Sequence, residues 1–590
     1  MSIDIETYRL KAQEAIEYVF VKEYHNSLGI PMPIVKMLLP DDANYSTGQY
    51  YITIDKTWQI HLNFGKLPIS YHEFQNEVKV LTRHEIEHYM CCPFDVITHF
   101  RMLKRIRDVY YKHFSHLGIN IEYACGAISN QAADIIVDTK NYYRHSKETL
   151  KSEIDWIKIG ANISACPRHC KLMFLTKEAI WKEDLGINET DPEFLKIVHQ
   201  LADSFTKNGI EDKSSFLDKV EEYAEIFFKL YVEDQKNPQQ SSQQGSQQQS
   251  GQQGSQQQSG QQGSQQQSGQ QGPQQQSGQQ GSQQQSGQWG VGRPKDGDEH
   301  GNAFVFADPD KVKEAIEVLA EETSVEEFID LLAIAGIIGM SDKQKGVLWF
   351  NVQSANIIPI VEFSNTGNKS SYTYPSVWRI GDPIEELDLM LTYMTSPRLI
   401  PGMTTKKWEY VSNDDNGTES KQMDLLLVVD TSGSMGAAMK ESANMHQAVL
   451  ASYGILSYFE STKSKVAFIG FSDKIDAYVD WSDKYDDVRE CLLTNGHGGT
   501  KFPISRIKST LDVRSRDLVT VLITDGDLGN INESVSYFRD YLNDDNKLYI
   551  FLLGGSKSLH SYEPLKNIGA KIYNANNANE FCDMVLTDME

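Results

Sequence analysis

The chain has 590 residues, and its 81 acidic side chains outnumber 56 basic ones, which gives a formal net charge of −25. One hydrophobic core does not serve a chain of this length, so we expect several domains. The excess of negative charge disfavours binding to nucleic acid and to anionic membrane surfaces. The longest strongly apolar run, 331–340, is about half the length of a membrane-spanning helix. Composition therefore predicts a soluble protein without a nucleic-acid or membrane partner.

The first residues and the cysteines indicate the compartment. The opening sequence MSIDIETYRLK lacks the apolar segment of a secretory signal peptide. Seven cysteines, an odd number in a long chain, are not typical of a disulfide framework. Both features favour a cytoplasmic protein and disfavour a surface adhesin.

Apolar periodicity predicts a mostly α-helical (α+β) domain over residues 1–235. An amphipathic helix is expected over 5–23. The strand-like stretches 50–55 and 59–64 are typical of a β-hairpin. From residue 71 to 231 the pattern is mostly helical.

A nine-residue repeat, SQQQSGQQG, fills most of the chain between 246 and 290. The repeat contains almost no apolar side chains, so burial cannot offset the entropy that the chain would lose on ordering. We therefore predict a disordered Gln/Ser/Gly-rich linker over 236–301. It is interpreted as a spacer, with Gln-rich self-association as the alternative.

Two regions of different character follow the linker. Over 302–420 we expect a helical and irregular connection, to which no chemistry is assigned. Its signals are an N-cap at Asp308, a capping box that begins at Ser324, and a buried helix over 331–340. Over 421–590, short apolar runs alternate with helical segments, which is typical of a Rossmann-like α/β domain with a mostly parallel sheet.

The first candidate site is the segment RHEIEHY, which lies in a stretch without Gly or Pro. Side chains four residues apart leave the same face of a helix, so His84 and His88 can bind one Zn²⁺. Glu85 would lie beside such an ion, where it can act as the general base on a water molecule. The alternative is two surface histidines on a charged helix.

A zinc site of this kind needs a third protein ligand. Phe94 stands where a metzincin has its third histidine, so that class is excluded. A second helix candidate, NQAADIIVDTKNYY, carries Asp134 and Asp138 four residues apart. The pattern resembles gluzincin-like sites, with Asp in place of the usual Glu. The resemblance implies Asp134 as the ligand and Asp138 as the carboxylate that orients a ligand histidine. The alternative is two acids on a helix surface.

Two smaller groups near this site have open interpretations. The segment CPRHC at 166–170 is either part of a structural zinc site or a pair of structural cysteines. Four side chains are candidates to stabilise an oxyanion, and the sequence does not choose among them: Tyr142, Tyr143, Arg144 and His145.

The second candidate site lies in the predicted α/β domain. In an open parallel sheet, ligand groups gather at the carboxyl ends of the strands. Hydroxyl and carboxylate oxygens are hard donors that suit Mg²⁺. Five such residues follow apolar runs or a glycine pair in the sequence: Asp430, Ser432, Ser434, Thr500 and Asp525.

This second pattern resembles the von Willebrand factor A (VWA) domain and its metal-ion-dependent adhesion site. The resemblance covers about 424–590, and all five positions match. It implies that the two serines bind Mg²⁺ directly and that Thr500 binds directly or through water. Asp430 and Asp525 would bind largely through water. A vacant position on the ion would then accept a carboxylate from a protein partner.

The combination of a zincin-like and a VWA-like domain resembles a bacterial and phage family of metallopeptidase-like VWA proteins. Members of that family are often associated with MoxR-type AAA+ ATPases. The resemblance implies a zinc-dependent peptidase whose VWA domain recruits a protein partner through Mg²⁺. The competing hypothesis is a non-enzymatic adaptor with a structural or degenerate N-terminal metal site.

Overall fold

The protein is described from a computed structural model. It describes residues 5–25, 28, 32–38, 50–54, 59–64, 70–159, 163–236, 309–337, 340–355, 372–377, 406–410, 423–514, 517–526, 528, 530–544, 546–553 and 560–575. Residues 237–301 of the predicted linker lie outside these ranges. The chain divides into two compact units, which are 1–316 with 331–338, and 317–330 with 339–590.

The N-terminal unit is mostly helical, as the periodicity predicts. Its strands are β1 (Ile34–Met37), β2 (Tyr50–Ile54) and β3 (Gln59–Phe64). Its helices before the linker are α1 (Ile5–Tyr18), α2 (Tyr71–Met90), α3 (Val96–Val109), α4 (Ile121–Ile159), α5 (Arg168–Trp181), α6 (Pro192–Thr206) and α7 (Phe216–Lys236).

The small sheet has the order β1-β3-β2. Strand β2 pairs with β3 in antiparallel fashion, which confirms the predicted hairpin, and β1 pairs with β3 in parallel. The helix expected over 5–23 continues past α1 as a wider π-helical turn, Val19–Glu23. Apolar residues of α1, β1, β3 and α2 form one core, in which Ile16, Leu62 and Phe74 are fully buried.

Helices α2 and α4 carry the candidate zinc residues. Ser70 is the N-cap of helix α2, and its Oγ accepts from Glu73 N at 3.2 Å and donates to Glu73 Oε2 at 2.8 Å. It ends three residues before Pro93, which has no backbone N–H and restricts the residue before it. Helix α4 is interrupted by a kink at His145 (φ −134°, ψ 47°).

The C-terminal unit contains a six-stranded, mostly parallel α/β sheet, as predicted. Its strands are β6 (Asp424–Asp430), β7 (Val466–Phe471), β8 (Ile475–Ser482), β9 (Leu518–Thr524), β10 (Lys547–Leu553) and β11 (Lys571–Ala575). The helices of this part are α11 (Asn444–Ser461), α12 (Tyr485–Leu492), α13 (Ile504–Leu511), α14 (Val535–Asn543) and α15 (Glu563–Lys566).

The order of the strands in this sheet is β11-β10-β9-β6-β7-β8. Only the edge pair β7–β8 is antiparallel among the described pairs of the sheet. The chain builds outward from β6 through β7 to β8, and then starts again on the other side of β6 with β9. Strands β6 and β9 therefore flank a topological switch point, where an open α/β sheet leaves a crevice at its carboxyl edge.

The region between the linker and this sheet contains α8 (Pro309–Glu322), α9 (Val325–Ile334) and α10 (Asp342–Ala355). Two short strands, β4 (Tyr372–Val377) and β5 (Lys406–Tyr410), pair in antiparallel fashion. Asp308, the expected N-cap, lies outside the described residues.

Helix α9 begins where the sequence predicts and ends earlier than predicted. Ser324 Oγ accepts from Glu327 N at 3.2 Å, which is the N-capping half of the predicted box. The prediction of one helix over 331–340 is wrong beyond Ile334. Gly336 adopts a left-handed conformation (φ +75°), and Ile337 N donates to Leu332 O at 3.0 Å in a Schellman motif that stops the helix.

Within the described residues, no helix is both long enough and apolar enough to cross a lipid bilayer.

Candidate functional site

Helices α2 and α4 bring three potential ligand atoms together in the N-terminal unit. His84 and His88 leave one face of α2, and their Nε2 atoms are 3.1 Å apart. Asp134 approaches from α4, with Oδ1 3.2 Å from His88 Nε2 and 3.6 Å from His84 Nε2. These residues form a candidate metal-binding group, and among the described residues no other three His, Cys, Asp or Glu side chains bring their ligand atoms within 4.8 Å of one another.

The spacing of the three atoms fits a small divalent cation. Ligand atoms about 2.0–2.2 Å from a tetrahedral Zn²⁺ are about 3.3 Å from one another. Asn130 Nδ2 donates to Asp134 Oδ2 at 2.9 Å, whereas Asp134 Oδ1 is buried and accepts no hydrogen bond from the described residues. A buried carboxylate oxygen without a donor is costly, and a cation would remove that cost.

Each histidine is oriented through its other ring nitrogen. His84 Nδ1 lies 2.7 Å from Asp138 Oδ1, and His88 Nδ1 lies 2.8 Å from the carbonyl oxygen of Cys92. Nδ1–H donates in both contacts, so in the neutral rings the two Nε2 lone pairs point to the shared centre. This is the arrangement of a histidine that is ready to bind a metal.

The contact from Cys92 was missed at the level of sequence. Helix α2 ends just after His88, and the chain turns back so that the carbonyl of Cys92 reaches the ring four residues earlier. The signal was Pro93, because a residue before proline avoids the helical conformation. The end of the helix therefore supplies the acceptor that holds the second histidine.

Burial and nearby charges shift the pKa values of His84 and Glu85. Burial acts to lower the pKa of His84, but the carboxylates of Asp138, Asp134 and Glu85 together outweigh it and raise that pKa to about 10. A proton and a cation thus compete for His84 Nε2. Burial raises the pKa of Glu85 above its ordinary value. Glu85 Oε2 is buried and has no hydrogen-bond partner among the described residues.

Negative charge exceeds positive charge around the ligand atoms. Asp138 Oδ2 accepts from the buried Lys177 Nζ at 2.6 Å, and the same Nζ donates to Glu153 Oε1 at 2.7 Å. One ammonium, even with the imidazolium that His84 forms when it binds a proton, thus faces four acidic groups, because Asp134 and Glu85 add two more nearby. Buried charges need partners of opposite sign, so this surplus also favours a bound cation.

Glu87 belongs to a different face of α2, although it is only two residues from Glu85. Its side chain is fully buried, and Lys140 Nζ lies 2.8 Å from Oε2. Arg144 Nη1 and the Tyr24 hydroxyl donate to Oε1 at 2.9 and 2.8 Å. This carboxylate, with a cation beside each oxygen, fastens α2 to α4, and its contact with Lys140 is an ion pair without hydrogen-bond geometry.

The four oxyanion candidates are mostly engaged elsewhere. Tyr142 stacks on Trp181 and its hydroxyl donates to Glu183 Oε1 at 2.9 Å. Arg144 pairs with Glu87, as described above. Tyr143 is 59% exposed, and His145 occupies the kink of α4. Within the described part of the chain, none of these four side chains forms a hydrogen bond or ion pair with His84, His88 or Asp134.

The segment at 166–170 does not join a metal-binding group of the described residues. His169 Nδ1 lies 2.9 Å from Asp234 Oδ2, which joins the start of α5 to α7. Burial raises the pKa values of the Cys166 and Cys170 thiols, so both remain protonated at neutral pH.

The second candidate site lies at the switch point of the α/β sheet. Asp430 ends β6, and its carboxylate accepts from Ser432 N at 2.8 Å and from Thr524 Oγ1 at 2.6 Å. Ser434 Oγ donates to Asp525 Oδ1 at 3.0 Å and lies 3.1 Å from Ser432 Oγ. Four of the five predicted residues are thus linked by hydrogen bonds.

The fifth residue, Thr500, lies in a loop that contacts the loop after β6. Gly433 N donates to Gly498 O at 3.3 Å, which joins the loop after β6 to the loop that carries Thr500. Asn444 Nδ2 donates to Asp525 Oδ2 at 3.1 Å, a contact that the sequence did not indicate. Burial raises the pKa of Asp430, although its hydrogen bonds favour the charged form.

Comparison with known proteins gave no match, either to a protein-family model or to a curated protein. The structure by itself defines the class: a helical unit with a candidate His/His/Asp metal-binding group, and a second unit with a Rossmann-like α/β sheet.

Proposed function

We propose that the N-terminal unit is a zinc-dependent hydrolase that acts on peptide or related amide bonds. The observation that carries the proposal is the convergence of His84 Nε2, His88 Nε2 and Asp134 Oδ1, with Glu85 buried next to them. Nitrogen and carboxylate donors in this number are the usual ligand set of catalytic zinc, which keeps a position for water or substrate. The HExxH spacing supports the same interpretation.

The roles of the side chains follow from their positions. A bound Zn²⁺ would supply the Lewis acidity that activates water and polarises a carbonyl group. Glu85 would take the proton of the attacking water at Oε2 and pass it to the leaving nitrogen. The amide bond is then replaced by a carboxylate and an amine. Asp138 and the Cys92 carbonyl hold the two imidazoles in the required tautomer.

The decisive experiment measures metal content and peptide cleavage together. Wild-type protein is expected to carry about one zinc per chain. Glu85→Gln is expected to keep that zinc and its thermal unfolding, and to lose cleavage by about 100-fold or more, because the proton acceptor is gone. Glu73→Gln is the matched control, since Glu73 is an exposed glutamate of the same helix, about three turns before His84. Zinc-free wild-type protein, or full cleavage by Glu85→Gln, would contradict the proposal.

A second candidate function is a non-enzymatic adaptor with a structural zinc. The burial of the ligands favours it, because His88 is fully buried and only 20% of the His84 side chain is exposed. Structural zinc sites are closed, whereas catalytic sites keep an open position. The adaptor predicts that His88→Ala lowers the unfolding temperature and removes zinc, while no peptide is cleaved by the wild type.

For the C-terminal unit we propose a Mg²⁺ site. Its ligands are Asp430, Ser432, Ser434, Thr500 and Asp525. The support is their place at the switch point and the hydrogen bonds among their oxygens. An ion held by hydroxyls and two carboxylates would accept a further carboxylate from a protein partner. A MoxR-type AAA+ ATPase is the partner class that the sequence resemblance implies.

The test of this second site uses the metal first and the partner second. Asp525→Ala is preferable to Asp430→Ala, because Asp430 is buried and its loss would leave the buried Thr524 hydroxyl without its acceptor. Titration with Mg²⁺ is expected to detect a site in the wild type and in the exposed control Asp544→Ala, but not in Asp525→Ala. Capture of a MoxR-type ATPase should need Mg²⁺ and fail with Asp525→Ala; capture in chelator would contradict the proposal.

A further inference from the structure

Lys177 is a buried cation one step beyond the candidate zinc ligands. It lies on α5, only 2% of its side chain is exposed, and its Nζ lies between Asp138 Oδ2 and Glu153 Oε1 at 2.6 and 2.7 Å. The other oxygen of Asp138 accepts from His84 Nδ1. A continuous chain of contacts therefore runs from Lys177 through Asp138 to His84, whose Nε2 faces the shared centre.

We propose that Lys177 is a positioning residue for the metal centre, which fixes the carboxylate of Asp138 and thereby the ring of His84. This inference rests on the proposed zinc site. Asp138 needs Lys177 because one carboxylate can rotate about its last bond, and a strong donor on each oxygen removes that freedom. Groups that hold a ligand histidine from behind typically change metal affinity by about 10- to 100-fold when they are lost.

The direction in which zinc affinity changes when Lys177 is replaced separates positioning from simple electrostatics. Lys177 carries a positive charge near a proposed cation, so removing that charge should by Coulomb's law strengthen zinc binding. Removal of a positioning contact should weaken it, because His84 is no longer held with Nε2 toward the ion. A purely structural lysine would change the unfolding free energy and leave the zinc affinity of the folded protein unaltered.

The chain offers a matched control on the same helix. Lys171 is also a buried lysine of α5, and its Nζ lies 2.9 Å from Glu189 Oε2. Its ion pair resembles that of Lys177 in burial and length, but it has no contact with Asp138 or His84. Lys171→Met therefore reproduces the loss of a buried ion pair without touching the metal centre.

The experiment measures zinc affinity by chelator competition in the full-length protein. We expect Lys177→Met to weaken zinc binding by about tenfold or more. Lys171→Met should bind zinc as the wild type does. In an Asp138→Asn background, Lys177→Met should add less than about a threefold change, since the contact that it acts through is already lost.

The outcomes distinguish a failure of the proposed zinc site from a failure of this inference alone. Wild-type protein that binds no zinc would overturn the proposed function and this inference with it. A wild type that binds zinc, together with unchanged or tighter binding by Lys177→Met, would overturn the inference alone. Should Lys177→Met fail to fold, Lys177→Gln takes its place. Glutamine keeps only a shorter, uncharged N–H donor, so zinc binding should still weaken by about threefold or more, and unchanged or tighter binding would overturn the inference.

Discussion

Two glutamates of the segment RHEIEHY have opposite surroundings, although they lie on one helix two residues apart. Glu85 Oε2 is buried beside the ligand atoms and has no hydrogen-bond partner among the described residues. Glu87 has cationic partners instead, with Arg144 at Oε1 and Lys140 at Oε2, although Oε2 accepts no hydrogen bond of good geometry. The motif predicts that Glu85 lies beside the ion, but it predicts no partner for Glu87. Glu87 therefore serves the packing of α2 on α4, which leaves Glu85 for the proton transfer that we propose.

This difference predicts effects of different size on stability from two substitutions. Glu87→Ala leaves the ammonium of Lys140 buried and without its main partner, so it should lower the free energy of unfolding by about 3–5 kcal/mol. Glu85→Gln should lower it by less than about 1 kcal/mol. Urea unfolding of the zinc-free proteins measures both. The double variant Glu87→Ala/Lys140→Met should recover part of the loss, and equal destabilisation by the two glutamate variants would contradict this interpretation.

The residues of the N-terminal site could be predicted only where spacing along one helix decides them. His84 with His88, and Asp134 with Asp138, are pairs four residues apart, and helix geometry places each pair on one face. Lys177 and the Cys92 carbonyl could not be chosen in this way. Which side chain of α5 reaches Asp138 depends on how α5 packs against α4, and a single sequence contains no direct record of that packing.

At the scale of secondary-structure elements, α10 is the clearest addition to the sequence analysis, which assigned no chemistry to residues 302–420. Trp349 and Phe350 of α10 are buried and lie 5.4 and 5.2 Å from the ring of His446 on α11. Gly346 approaches Met439 so closely that an added Cβ would lie 2.2 Å from its methyl carbon. Helix α10 therefore supports the segment that follows the serines of the candidate Mg²⁺ site.

The contact between α10 and α11 should weaken in acid. His446 is buried, its Nδ1 lies 2.9 Å from Ala438 O, and burial lowers its pKa below the ordinary 6.5. Below about pH 6.5 the unfolded chain binds a proton that the folded chain refuses, so the free energy of unfolding falls as pH falls. His446→Asn keeps an N–H donor and cannot titrate.

The measurement is the free energy of unfolding between pH 7.5 and 5.5. The difference between wild type and His446→Asn cancels most of the other titrating groups. The wild type should lose stability more steeply than the variant below about pH 6.5, and the two curves should run parallel above it. Parallel curves over the whole range would show that this histidine is not held neutral.

At the scale of the whole molecule, each candidate site is complete within one compact unit. The ligands, the orienting groups and Lys177 all come from residues 84–177. The five oxygen donors of the other site all come from 430–525. Periodicity alone predicted both folds, because long amphipathic helices and short apolar strands differ in repeat length. The start of the C-terminal folding unit is less visible, since α10 is separated from β6 by about 70 residues.

A truncation series should place that start at or before α10. A piece that begins at residue 421 matches the sequence boundary but exposes the surface that Trp349 and Phe350 cover, including Tyr453 of α11. Each buried aromatic side chain contributes roughly 1.5–3 kcal/mol. The piece 309–590 should therefore unfold roughly 10 °C or more above the piece 421–590. Trp349→Ala in the longer piece should give an intermediate value in the same calorimetric scan. Equal unfolding temperatures for the two pieces would mean that α10 adds nothing to the α/β fold, and the boundary at 421 would stand.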